Sequence, residues 1–140
     1  MDNHLLAVLI HERSEPFEAL KEALFDLSVE AYCVEGGSEA EDLIAEYQPL
    51  LVFVDLPIWS ESHADIVDMV EGADQSLNII VVGPLPDIQE HVAAIERGAF
   101  SFIAPPFSHK ALTPVVHAAA MDARDRRESL VRVGLAYPST

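Results

Sequence analysis

The sequence predicts one α/β domain: five parallel strands alternating with helices, a doubly wound (βα)5 sheet whose last helix continues past the domain. Three observations predict it. Short uncharged runs rich in Val, Ile and Leu recur along the chain, each about one strand long, the pattern of strands buried on both faces of a parallel sheet. Between them lie segments with apolar residues three and four apart and charges in the gaps, the pattern of amphipathic helices. With 140 residues, half of them apolar, the chain has material for one core and hardly for two.

The elements follow in order. Residues 5–10 form the first apolar run and should be a central strand. Phe17, Leu20, Leu24 and Leu27 then share one helical face, with Glu18, Lys21, Glu22 and Asp26 on the other and Pro16 suited to the first turn. Residues 29–34 read as the second strand, which places Cys33 on a buried strand, inert. Gly36-Gly37 breaks the run, and Ser38 with Glu41 three positions on is a capping pair for a helix ending near Pro49. Residues 50–54 are β-prone and stop at Asp55. A weak helix is expected over residues 63–70, which leaves Trp59 in a loop. Residues 79–82 are the fourth strand, closed by Gly83-Pro84-Leu85-Pro86. Asp87 can cap a helix that runs through Glu96 and ends at Gly98. Residues 100–103 are the fifth strand, and Ser108 starts the last helix. Pro114 lies several residues inside that helix, so the helix either kinks there or begins effectively at Thr113. The boundary expected from composition is 1–121 for the domain and 122–140 for a charged helical extension and tail.

The formal charge of −16 disfavours direct nucleic-acid binding by this domain, because phosphate contact needs clustered cations. Four of the eight basic residues, Arg124, Arg126, Arg127 and Arg132, are confined to the last twenty positions. A lone cysteine excludes an intramolecular disulfide, no apolar run is long enough for a membrane span, and residues 1–4 do not begin a signal peptide, so a cytoplasmic location is the expectation. The six histidines show no recognisable zinc spacing and no nucleophilic triad can be proposed from local motifs, so the chain is not read as an enzyme.

Over roughly residues 5–120 the order and spacing of the elements resemble the receiver domain of response regulators, the CheY-like branch of the flavodoxin-like folds. Val52-Phe53-Val54-Asp55-Leu56 is similar to the family's third strand and phosphoacceptor, and Gly98-Ala99, Phe102 and Pro106-Phe107 resemble the passage through its fifth strand. The resemblance implies a role in two-component phosphorelay signalling, with Asp55 as phosphoacceptor candidate and Mg²⁺ as cofactor.

Three positions depart from the family pattern, which makes the chain resemble a degenerate, pseudo-receiver variant. The family's acidic pair falls on His11 and Glu12. Glu12 and Asp55 could still share a hydrated Mg²⁺, but the nitrogen of His11 suits transition metals better, and His11 reads as a hydrogen-bonding pocket residue. The family's lysine aligns with Pro105, which carries no ammonium. The family's hydroxyl aligns with Gly83, and Pro84 and Pro86 stiffen the loop that follows.

Signalling is then expected through surfaces, to a sensor kinase, an output domain or a second copy in a homodimer. Phe100 is a candidate interface anchor unless the last helix covers it. Trp59 is a second candidate, against the alternative of local packing. Two other functions compete: a receiver phosphorylated on Asp55 with altered metal use, and a domain binding FMN or another small ligand. The second is disfavoured because the acidic stretch after the first strand offers no anion nest.

Overall fold

Five short hydrophobic strands, hydrogen-bonded in parallel, carry the other elements. A computed structural model describes residues 5–11, 15–73, 75–84 and 88–132; Glu12, Pro86 and Asp87 lie outside them. The strands are β1 (Leu5–Ile10), β2 (Val29–Val34), β3 (Leu51–Asp55), β4 (Asn78–Val82) and β5 (Ser101–Ile103), and the sheet order is β2-β1-β3-β4-β5. The helices are α1 (Glu15–Asp26), α2 (Gly37–Tyr47), α3 (Leu56–Glu71), α4 (Ile88–Glu96) and α5 (His109–Arg132). The expected doubly wound (βα)5 sheet is therefore present, with its long last helix.

Strand residues alternate between two cores. Ala7, Leu9, Phe53 and Ile80 meet Phe17, Leu20 and Leu24 of α1 and Leu112, Val116 and Ala119 of α5. Val8, Val52, Val54 and Val81 face the opposite layer, where Ile44 of α2, Trp59 and Ile66 of α3 and Ala94 of α4 cover them. Burial on both faces explains why β1, β3 and β4 lack polar alternation. Each fully buried Leu or Phe contributes about 1.5–3 kcal/mol relative to exposure. Gly98, at φ 118, turns the chain from α4 towards β5, and a side chain there would also press on Val67 at 3.1 Å.

Several local expectations need correction. The second helix starts at Gly37 with Gly36 as N-cap and no side-chain capping bond, so Ser38 is not the cap. Glu39 closes the turn instead, its Oε1 accepting the Glu35 N–H at 3.3 Å. Cys33, on the edge strand β2, is exposed. The third helix begins directly after Asp55, with Pro57 in its first turn and a non-helical residue at Ser62 (φ −131, ψ 21). The weak helical period over 63–70 reflects only its second half. Trp59 is consequently a helical core residue, 2% exposed, and is no surface anchor. Its indole Nε1 and the Nδ1 of His63 one turn on are buried with no hydrogen-bond partner among the described residues, their rings 5.7 Å apart.

The last helix passes through Pro114 without ending. Ser108 caps it, accepting the Ala111 N–H at 3.1 Å, whereas Thr113 donates back to the His109 carbonyl at 2.6 Å and caps nothing. The charged stretch after 121 does not leave the body at once. Ala123 is fully buried, and Arg126 and Arg127 reach carbonyls at the amino ends of β3 and β4. One helix thus spans the boundary expected at 121/122.

Candidate functional site

The parallel register brings the carboxyl ends of four strands to one edge of the sheet. Ile10 pairs with Val54, Asp55 with Val82, and Val82 with Ile103. His11 follows directly and donates its N–H to the Val34 carbonyl at 3.1 Å; Gly83 does the same to Ile103 at 3.1 Å. His11, Asp55, Gly83 and the Ala104-Pro105 step therefore occupy neighbouring strand exits, where open α/β sheets place their ligands.

Asp55 is the one buried charged or polar residue among the described residues, at 9% exposure. It holds the N-cap position of α3 in an extended conformation (φ −62, ψ 136), but its carboxylate makes no capping bond to that helix. Capping thus does not account for this acid. Desolvating a carboxylate is costly, so such a group is normally held by partners or used in chemistry.

The ring of His11 stacks on Phe17 of α1, centroids 4.5 Å apart and planes 17° apart. That contact sets the ring's plane against an apolar neighbour. Pro105 is exposed and joined to Pro106 by a cis peptide bond. Lys110 is exposed in the first turn of α5, beyond Phe107.

The most informative geometry is at Gly83. A Cβ built there would lie 2.9 Å from Leu56 Cβ, 3.1 Å from Leu56 Cδ2 and 3.2 Å from Phe102 Cζ. At 2.9 Å something must shift, so even the first carbon of a side chain at position 83 would not fit without displacing Leu56. Nothing in the sequence singles out Leu56 except its place immediately after Asp55.

Mg²⁺ requires hard oxygen donors in octahedral array. At this edge the described residues supply the buried carboxylate of Asp55, the exposed carboxylate of Glu35 after β2, and an imidazole stacked on Phe17. Among the described residues no group of three or more His, Cys, Asp or Glu side chains could hold a metal ion. The described donor set does not by itself fit Mg²⁺.

A second feature lies on the surface. Phe100 stands 36% exposed in the connection between α4 and β5, its N–H bonded to the Ile79 carbonyl. On α4, Ile88, Val92 and Ile95 recur at i, i+4 and i+7 and are 80%, 46% and 40% exposed. That spacing was legible in the sequence, but which face of the helix meets the sheet was not. No described helix is long and apolar enough to cross a membrane.

No family model matches the chain. Over 121 residues it is 28% identical to the nitrogen assimilation regulatory protein NtrX of Azorhizobium caulinodans, an alignment covering 81% of this chain and 26% of that protein. The chain thus spans about a quarter of that relative's length. Among solved structures, NtrX from Brucella abortus superposes with a TM-score of 0.74 at 24% identity, over 89% of this chain and 28% of that one. The signal receiver domain of a putative LuxO repressor protein from Vibrio parahaemolyticus gives 0.72 at 23% identity, over 91% and 97%. The fold is that of a response-regulator receiver domain.

Proposed function

We propose that this receiver-like domain of the two-component response-regulator type signals mainly by protein–protein contact, with little dependence on phosphorylation of Asp55. The carrying observation is the contact of Leu56 and Phe102 with the place where a side chain at Gly83 would begin. Phosphorylation shifts a conformational equilibrium only through contacts that are better in one state than in the other. A hydroxyl at position 83 and an ammonium at position 105 would be such contacts, and Gly83 and Pro105 supply neither.

Asp55 keeps its buried place, so the experiment addresses it directly. Incubation with acetyl phosphate, with and without Mg²⁺, followed by intact-mass measurement is expected to show little or no phosphoryl adduct. A stoichiometric, Mg²⁺-dependent adduct absent from Asp55→Ala would overturn the reading in favour of a working phosphoacceptor with altered metal use. Asp55→Ala is further expected to leave partner binding and oligomeric state unchanged.

The surface for that contact is the exposed apolar face of Ile88, Val92 and Ile95, with exposed Phe100 in the connection that follows α4. Contiguous apolar residues at a helical spacing favour association, and an aromatic is a frequent anchor. We assign this face to self-association into a homodimer or to docking of a sensor kinase or output domain. Val92→Glu places a charge at its centre and is expected to weaken self-association at least about tenfold. Sedimentation or light scattering across a concentration series would show it, and an unchanged dimer would remove α4 from the interface.

A further inference from the structure

An open groove runs between α2 and α3, on the layer of the molecule opposite α1 and α5. Its part nearest the carboxyl ends of the strands has a volume of about 520 Å³, and a continuation towards the amino ends adds about 250 Å³. The two parts meet at Glu41, Asp68 and Met69.

The floor is apolar. Ile10 and Ile66 are buried there, and Ile58 and Met69 are partly covered. The walls carry exposed carboxylates: Glu35 and Glu41 on one side, Glu61, Asp65 and Asp68 on the other. Among the described residues no basic side chain lines either part. Nor can a neighbour in sequence neutralise these acids, since residues 35–75 contain no Lys or Arg. The break in helical geometry at Ser62, itself part of the lining, lies along the α3 wall.

We infer that this groove is a docking site for a basic amphipathic segment of a partner protein, independent of the α4 surface and of Asp55. Apolar side chains of the segment enter between Ile58, Ile66 and Met69, and its Lys or Arg side chains meet the two acidic walls. Each alternative occupant satisfies only part of this arrangement. Nucleic acids and anionic lipid surfaces are repelled by the walls, and a small cation alone leaves the apolar floor uncovered. Helix-in-groove recognition uses both features together.

The test uses a fluorescein-labelled peptide of about 16 residues with Leu on one helical face and Lys on the other, roughly four turns long. Binding is followed by fluorescence anisotropy and located by amide chemical-shift mapping on the full chain. The expected shifts fall on residues 35–48 and 58–73. The double reversal Asp65→Lys, Asp68→Lys should weaken binding about tenfold or more, while the equal charge change Glu18→Lys, Glu22→Lys on α1 should cost less than about threefold. Any of four outcomes overturns the inference: no binding, equal losses from the two reversals, shifts centred on residues 88–100, or equal affinity for a peptide with every Leu replaced by Ser.

Discussion

Replacing Arg127 with methionine is expected to destabilise the domain by about 2–4 kcal/mol, the largest effect of any single substitution outside the hydrophobic core. Arg127 is half-buried under the amino ends of β3 and β4. Its Nε donates to the Ser76 carbonyl at 2.7 Å, and its Nη2 donates to the carbonyls of Pro49 at 2.8 Å and Gln48 at 3.2 Å. These carbonyls belong to the segments leading into the two strands. Burial lowers the guanidinium's pKa, and Arg124 and Arg126 lower it further, yet arginine remains charged at any pH the fold will see. Methionine keeps most of the aliphatic stem, so the loss reports the hydrogen bonds and the acceptors left behind.

Arg126 provides the contrast. It bonds the Asn78 Oδ1 at 2.7 Å and pairs with Asp122 at 3.0 Å, but the ion pair is nearly half exposed on both sides. Arg126→Met should therefore cost no more than about 1 kcal/mol. Urea unfolding with an unchanged m-value checks both substitutions. A loss below about 0.5 kcal/mol for Arg127→Met would mean that α5 is not fastened at this point.

The second large effect is expected at Gly83. Gly83→Ser should cost about 1–3 kcal/mol, because its Cβ would stand 2.9 Å from Leu56 Cβ and 3.2 Å from Phe102 Cζ. Leu56→Ala alone loses partly buried surface and should be mildly destabilising. Combined with Gly83→Ser it removes the contact at Leu56 Cδ2 but keeps Leu56 Cβ, so it should recover only part of the serine's cost, with a coupling energy of about 0.5 kcal/mol in a double-mutant cycle. Strict additivity would show that the two side chains do not compete for one space. The same double variant also has a functional use: if Leu56 closes the site, it is the form in which a phosphodonor should label Asp55 best.

Much of the architecture was legible because periodicity depends on few neighbours. The apolar runs at 5–10 and 29–34 became β1 and β2 with the same ends, and Asp55 was located at the close of β3 because the run of β-prone residues stops there. Local chemistry was a weaker guide where two signals compete. At Ser38 a capping pair is present, yet the chain leaves β2 in a way that puts the N-cap two residues earlier, at Gly36. Around Trp59 the period is broken at Ser62, so the first half of α3 looks like a loop until the sheet beneath it is seen.

From its residues alone this protein has a five-stranded parallel sheet, an aspartate at the end of the third strand, and no ammonium or hydroxyl at positions 105 and 83. Those properties rest on residue identity and on the period of a strand or helix, which neighbours in sequence determine. Only the tertiary structure decided that Leu56 abuts Gly83, that Trp59 is core, that the Ile88-Val92-Ile95 face is bare, and that Arg127 grips the carbonyls of Gln48, Pro49 and Ser76. Each of these is a contact or an exposure set between elements distant along the chain, and a residue's sequence neighbours do not specify which element will lie against it.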